Sequence, residues 1–359
     1  MHDSISAMEP MKERGNVKDI DVIDSGELHR EMAPYQRPHR WRSIWQLVNT
    51  LVPYGLLWYI AYRALDYSFW LALPFIALLS GFLVRVFIIF HDCGHQSFFQ
   101  SKRANNFWGI LTGILTFTPY HRWRASHARH HGTSGNLDKR GEGDVWMMTL
   151  REYFQAPRKE RIKYRLYRNP IVLFLLGPLS ITLFNNRIVG RKARRSERRS
   201  VYGTNVVLLA LTTAMILLVG WKAFLLIQLL ALFLAHIAGV WLFYVQHQFE
   251  GVYWERDSHW DFVTAAIKGG SFYKLPGIIR WFTGNIGYHH VHHLNSRIPN
   301  YNLARCQKNT PALQHAQEIG VRSSLKSLTF RLWDEDTGRL VGFREIRRQS
   351  SRVRLPAQS

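Results

Sequence analysis

The stretch FWLALPFIALLSGFLVRVFIIF at residues 69–90, followed at once by HDCGH at 91–95, decides the fold. An apolar block of that length, interrupted only by Arg85, meets the roughly 20 residues a helix needs to cross a bilayer. Working outward, three more blocks read the same way: 44–65 before it, then 201–220 and 223–245. Four membrane-spanning helices are therefore expected. Two shorter stretches, Phe107–Thr118 and Ile171–Phe184, fall below a comfortable span, and Gly177-Pro178 interrupts the second. Both read as interfacial segments.

Charge orients the chain. Of the 359 residues, 47 are Lys or Arg and only 25 Asp or Glu, a net charge of +22. The basic residues crowd the N-terminal arm (1–43), the stretch 121–168 and the run RIVGRKARRSERR at 187–199. The joints around Asp66-Tyr67 and Trp221-Lys222 carry almost none. Cytoplasmic loops hold the Lys/Arg excess, so both termini and the long 91–200 segment are expected in the cytoplasm. Nucleic-acid binding is a weak rival, because apolar spans separate the basic runs and no nucleic-acid fold signature is present. An aromatic content of 14% argues against a disordered chain. Two cysteines, Cys93 and Cys306, exclude a disulfide framework or a Cys-rich cluster fold. No short apolar stretch with a small-residue cleavage site precedes residue 43, so no secretory signal is expected.

Histidine carries the function. Seventeen are present, and they cluster: His91-x3-His95, His127-x2-His130-His131 and His289-His290-x-His292-His293. At this composition an H-x2-H-H pattern starts by chance at about one position in ten thousand, yet it occurs twice. Residues three and four apart share a helix face, so each cluster presents two or three imidazoles to one side. So many imidazoles packed together would repel if protonated and lack partners if neutral. A metal resolves both problems. Eight neutral donors exceed the needs of one ion, so two are implied, although imidazole suits iron, copper, nickel and zinc alike. Carboxylates must then orient the rings and offset the charge. Asp92, Asp138, Glu142, Asp144 and Glu250 are the candidates by proximity in sequence. The four-span topology puts all three clusters at one membrane face, whereas a membrane-crossing 107–118 segment would separate the first two.

HDCGHQSFF (91–99), WRASHARHH (123–131) and GNIGYHHVHHLNSRIPNY (284–301) resemble the three histidine boxes of the membrane-bound fatty acid desaturases. They are nearest the acyl-lipid Δ12/ω-type branch and its bacterial members, with the likeness covering roughly residues 40–345. The resemblance implies an all-α integral membrane protein of the bacterial inner membrane, with a cytosolic helical cap holding two irons. It further implies O2 as oxidant and an acyl lipid or thioester as the substrate that gains a cis double bond. Electrons would come from an external carrier, ferredoxin or cytochrome b5. The implied ligands are His91, His95, His127, His130, His131, His289, His292 and His293. His247 is a ninth: some family members carry an Asn-x3-His pattern after the last span, and here Phe243 stands at the Asn position.

On helical geometry His290 points off the ligand face. His236, about three turns deeper in the fourth span, either lines an acyl cavity or makes an interhelical hydrogen bond. His121 reads as a basic-loop residue and Cys93 as packing. The chain has no G-x-G-x-x-G after a strand, no C-x-x-C-H and no fused cytochrome b5 segment. Its basic surface (Arg158, Lys159, Arg161, Lys163, Arg165, Arg194, Arg195, Arg198, Arg199) suits either an acidic carrier or anionic headgroups. Three units follow: an arm (1–43), a membrane domain with its cap (44–305), and a tail (306–359) with a small hairpin, 329–333 against 339–343. The ligands alone do not separate desaturation from hydroxylation or ketolation on the same scaffold. A His-rich membrane transporter is disfavoured, since transporters place ionisable ligands near the midplane and these clusters lie past the span ends.

Overall fold

The computed structural model describes residues 25–141 and 143–346. Most of the N-terminal arm, the end of the tail, and Glu142 lie outside the described residues. The described chain is mainly helical, and its apolar side chains face outward over a large area. Leu209, Leu217, Leu218, Val206 and Leu56 are all more than half exposed, far more than a water-soluble surface tolerates.

Among the described residues, three helices are long and apolar enough to cross a membrane: Phe69–Gly94, Arg195–Val219 and Trp221–His247. Arg158–Tyr167 and Val172–Asn185, bent by 67° at their junction, would add a fourth if read as one broken span. The expected first span is a 26-residue helix, Arg40–Leu65, that does not join this set. Gln46, Asn49, Thr50, Arg63 and three tyrosines dilute its apolar character. Several of these polar groups face the protein. The Tyr54 hydroxyl and Trp58 Nε1 both donate to Gln228 Oε1, at 2.7 and 3.2 Å, while Val48, Val52, Leu56 and Ile60 are exposed. Such inverted amphipathicity, polar inside and apolar outside, is what lipid contact selects.

Phe69–Gly94 is the central helix. Ser68 caps its start by accepting from the Leu71 N–H at 3.1 Å, and Arg40–Leu65 and Trp221–His247 pack along its sides. The one charged residue of its apolar block 69–90, Arg85, is turned inward: Nε donates to Thr50 Oγ1 at 3.1 Å, Nη1 donates to the Trp281 carbonyl, and the guanidinium lies 3.8 Å from the Trp281 ring centroid. Lys102–Leu115 is a 14-residue helix capped by Ser101. At 1.5 Å per residue it covers about 21 Å, short of the roughly 30 Å hydrocarbon core. It turns back at Phe117 (φ 55°) into the helix Tyr120–Thr133. Gly109 permits that return, since a Cβ there would lie 2.2 Å from the Tyr120 ring.

Among the described residues, five short strands amend the all-α expectation. Leu332–Asp334 and Arg339–Val341 form a hairpin with Trp333 opposite Leu340, and Met148–Thr149 joins it in parallel. Phe272–Lys274 pairs in parallel with Glu318–Gly320. Met148–Thr149, Phe272–Lys274 and Glu318–Gly320 are too short to show a period-2 pattern. Buried Arg168 fastens the tail to the rest: Nη2 donates to Gln248 Oε1 and the Phe330 carbonyl, both at 3.0 Å.

Candidate metal centre

Four helix segments converge at one end of the helical bundle. Phe69–Gly94 ends in His91, with His95 as its C-cap. Trp221–His247 ends in His247. Tyr120–Thr133 carries His127, His130 and His131, and the six-residue helix His289–Leu294 carries His289, His292 and His293. The i, i+3, i+4 spacing turns each set to one side, as helical geometry requires. His121, expected in a loop, lies in the first turn of Tyr120–Thr133.

The imidazoles sort into two groups. His91, His95, His127, His131 and His292 form one; His130, His247, His289 and His293 form the other; within each group the donor atoms lie within 4.8 Å of one another. All nine are buried or half-buried. Nε2 of His131 is 3.1 Å from that of His127 and 3.0 Å from that of His292. Nε2 of His247 is 3.2 Å from that of His130 and 2.9 Å from that of His289.

These contacts fit shared coordination better than hydrogen bonding. His130 Nδ1 lies 2.6 Å from Asp144 Oδ1, and His247 Nδ1 lies 3.2 Å from the Gly269 carbonyl. A ring that carries a single N–H would have it committed on the Nδ1 side in both cases. Both Nε2 atoms then turn lone pairs toward each other. With metal–imidazole bonds of about 2.0–2.1 Å, two donors on one ion stand about 2.9–3.4 Å apart, which matches the separations found. Nε2 of His95 and of His293 are buried without any hydrogen-bond partner, as unused ligand atoms would be. Burial first, then neighbouring imidazoles, hold His95, His127, His131, His289, His292 and His293 well below the usual imidazole range. They are neutral at pH 7, the form that binds metal.

Of the carboxylates, two reach the rings. Asp144, largely buried, meets His130 of the second group, and Asp92 Oδ1 lies 3.2 Å from His91 Nδ1 of the first. Asp138 and Glu250 do not join them. Asp138 is exposed, accepting from Arg256 Nη1 at 2.6 Å and from the Asp257 N–H at 2.9 Å, and Glu250 pairs with Lys326 at 2.6 Å. Proximity in sequence misplaced them because the chain turns away to the surface after each cluster. His236 spends both nitrogens on neighbours, Thr182 Oγ1 at 2.6 Å and the Thr116 carbonyl at 3.2 Å, which is the interhelical bond. His290 belongs to neither group and its Nε2 meets Gln307 Oε1 at 2.6 Å. Cys93 is buried in an apolar cluster.

Three residues had escaped notice: Gly269, whose carbonyl orients His247, and Gln46 and Asn300, which meet behind Asp92. Gln46 left a readable trace as a polar residue in an apolar block. Gly269 left none, since any residue supplies a carbonyl. Two cavities open onto the rings, one of about 180 Å³ beside His95 and His127, the other of about 400 Å³ beside His131 and His293.

Comparison with known proteins agrees with this geometry. The family model described as fatty acid desaturase matches residues 68–323. A fatty acid desaturase of Bacillus subtilis is 49% identical over 321 residues, covering 89% of this chain and 91% of that protein. An sn-1 acyl-lipid omega-3 desaturase (ferredoxin) of Nostoc is 29% identical, covering 75% of each chain. An sn-1 oleoyl-lipid 12-desaturase of Synechocystis is 24% identical, covering 84% of this chain and 83% of that one. With a match over most of its length and the family's histidines gathered at one place, this chain belongs to the fatty acid desaturase family of oxidoreductases.

Proposed function

We propose that this protein is an integral-membrane acyl desaturase that uses O2 to insert a cis double bond into a lipid-borne fatty acyl chain. The observation that carries the reading is the pair of buried imidazole groups, five and four strong, with Nε2 atoms at coordination spacing. His91, His95, His127, His131 and His292 would hold one iron, and His130, His247, His289 and His293 the other. Two irons bound there would supply the oxygen chemistry that an unactivated methylene requires. In the balance, two hydrogens leave adjacent carbons, and with two protons and two external electrons they reduce O2 to two waters.

The protein's own contribution is positional. Asp92 and Asp144 fix ring orientation and tautomer from behind, keeping each facing nitrogen unprotonated. Arg40–Leu65, with polar groups inside and apolar groups outside, supports a four-span arrangement together with the three more apolar helices. The basic runs flanking the spans support a cytoplasmic metal face. Electrons would come from a separate carrier. The name of the Nostoc relative specifies ferredoxin, and the basic segments 158–165 and 194–199 offer a surface for such an acidic partner. The names of the cyanobacterial relatives support an acyl-lipid substrate.

Expression in a host with simple lipids, followed by gas chromatography–mass spectrometry of acyl methyl esters, tests the reading. A new monounsaturated or diunsaturated peak is expected. A hydroxylated or keto product would assign oxygenation instead, and unchanged lipids with a functional carrier present would refute both.

A further inference from the structure

Behind His91 lies a buried polar relay that joins three distant parts of the chain. Asp92 is only 2% exposed, and among the described residues its carboxylate has no Lys or Arg partner. Oδ2 accepts from the Asn300 backbone N–H at 2.7 Å and from Asn300 Nδ2 at 2.8 Å. Asn300 opens the ten-residue helix Asn300–Asn309, so the carboxylate also sits at the positive end of a helix dipole. The Asn300 amide is fixed in turn by Gln46 from the first long helix. Gln46 Nε2 donates to Asn300 Oδ1 at 3.1 Å, and Asn300 Nδ2 donates to Gln46 Oε1 at 3.2 Å. Asn285 Nδ2 closes the set on the Asn300 carbonyl at 3.1 Å. Every donor and acceptor of the Asn300 amide is used. An inverted amide would set its oxygen against the Asp92 carboxylate, so only one orientation is allowed.

We propose that Asn300 and Gln46 are positioning residues for the five-imidazole site. Together they hold the Asp92 carboxylate against His91 Nδ1, and thereby hold His91 Nε2 as a free donor aimed into the first group. The relay serves that group alone. The second has its own carboxylate, Asp144, which meets His130. This inference rests on the two-iron reading, and it makes a prediction that a general packing role does not: loss of the relay perturbs one ion and spares the other.

The test uses full-length membrane protein in detergent, reconstituted with 57Fe. Metal content and affinity are read by competition with a chelator, and Mössbauer spectra separate the two iron environments. In Asn300→Ala and in the gentler Gln46→Leu, affinity at one site should fall about tenfold, the lower end of the range for outer residues. One quadrupole doublet should shift while the other stays. Asp144→Asn should shift the opposite doublet. Wild-type protein that binds fewer than two ions would overturn the two-iron reading and this inference with it. Two ions in the wild type, with both doublets unmoved or both moved alike in Asn300→Ala and Gln46→Leu, would overturn this inference alone.

Discussion

Acidification is the perturbation most directly calculable from the centre. His289, His292 and His293 are each under 5% exposed, and burial holds their imidazoles well below the usual range. His95, His127 and His131 are half-buried and shifted the same way, again chiefly by burial. For such groups the sign is fixed. Below an ordinary imidazole value of about 6.5 the unfolded or opened chain binds protons that the closed site refuses, so stability falls as pH falls. Above that value the penalty vanishes. Each fully suppressed imidazole contributes about 1.4 kcal/mol per pH unit, so the three most buried rings alone give about 4 kcal/mol per unit. The half-buried three raise that figure, by less per ring. Against a typical domain stability of roughly 5–15 kcal/mol, a slope of that size is enough to open the closed site on moderate acidification. Metal content after equilibration between pH 8 and pH 4.5 should therefore be flat above 7 and drop steeply between about 6.5 and 5, with more than one proton taken up per ion lost. Hydrogen exchange of the segment 289–294 should accelerate over the same interval. Stoichiometric metal at pH 5, or a one-proton slope, would refute the claim that these rings are held neutral together.

The remaining expectations concern single side chains. His130→Ala and His292→Ala should each abolish the new acyl product while the protein still inserts in the membrane, as membrane fractionation and lipid analysis would establish; retained activity in both would refute the ligand assignment. His247→Ala should lose about one of two irons, whereas His290→Ala, altering a ring outside both groups, should retain both by metal analysis. Gly109→Ala should lower thermal stability by about 1–3 kcal/mol through collision with the Tyr120 ring, measured by unfolding in detergent. Reversing charge at Arg194 and Arg195 should weaken the salt-sensitive dependence on an acidic carrier without changing iron content, and unchanged carrier dependence would exclude that surface.

Much of this was legible in the sequence because the decisive signals are local. A run of apolar residues predicts a buried or lipid-facing helix wherever it folds, and three of the four expected spans, 69–90, 201–220 and 223–245, fall within helices long and apolar enough to cross. H-x2-H-H fixes three imidazoles on one side of one helix, and His127, His130, His131, His289, His292 and His293 are all delivered that way. Sorting them into two groups was not legible. His130 and His131 are neighbours in sequence yet belong to different groups, a division set by the angles at which four helices meet. The carboxylates divide by the same logic. Asp92 and Asp144 lie on segments held against the rings, while Asp138 and Glu250 lie where the chain has already left for the surface, and one-dimensional distance cannot tell the two cases apart. Arg40–Leu65 was apolar enough to notice but too polar to pass as an ordinary span, because several of its polar groups are spent on partners inside the protein.

The two buried carboxylates explain why an all-imidazole shell is workable. Nine neutral donors leave the charge of any bound ions undiminished, and burying charge without compensation costs several kcal/mol per ion. Yet neither Asp92 nor Asp144 is paired with Lys or Arg among the described residues; each faces an imidazole instead. Neither carboxylate therefore meets a cationic side chain, and Asp144 even leaves Oδ2 without a hydrogen bond. A cation held on the far side of His91 and of His130, as the two-iron proposal has it, would offset both at once. Setting the negative charge one ring away, rather than on the ion, keeps carboxylate oxygens out of the first coordination sphere. The residues behind the rings thus support the proposed pair of cations by a physical effect separate from the spacing of the rings.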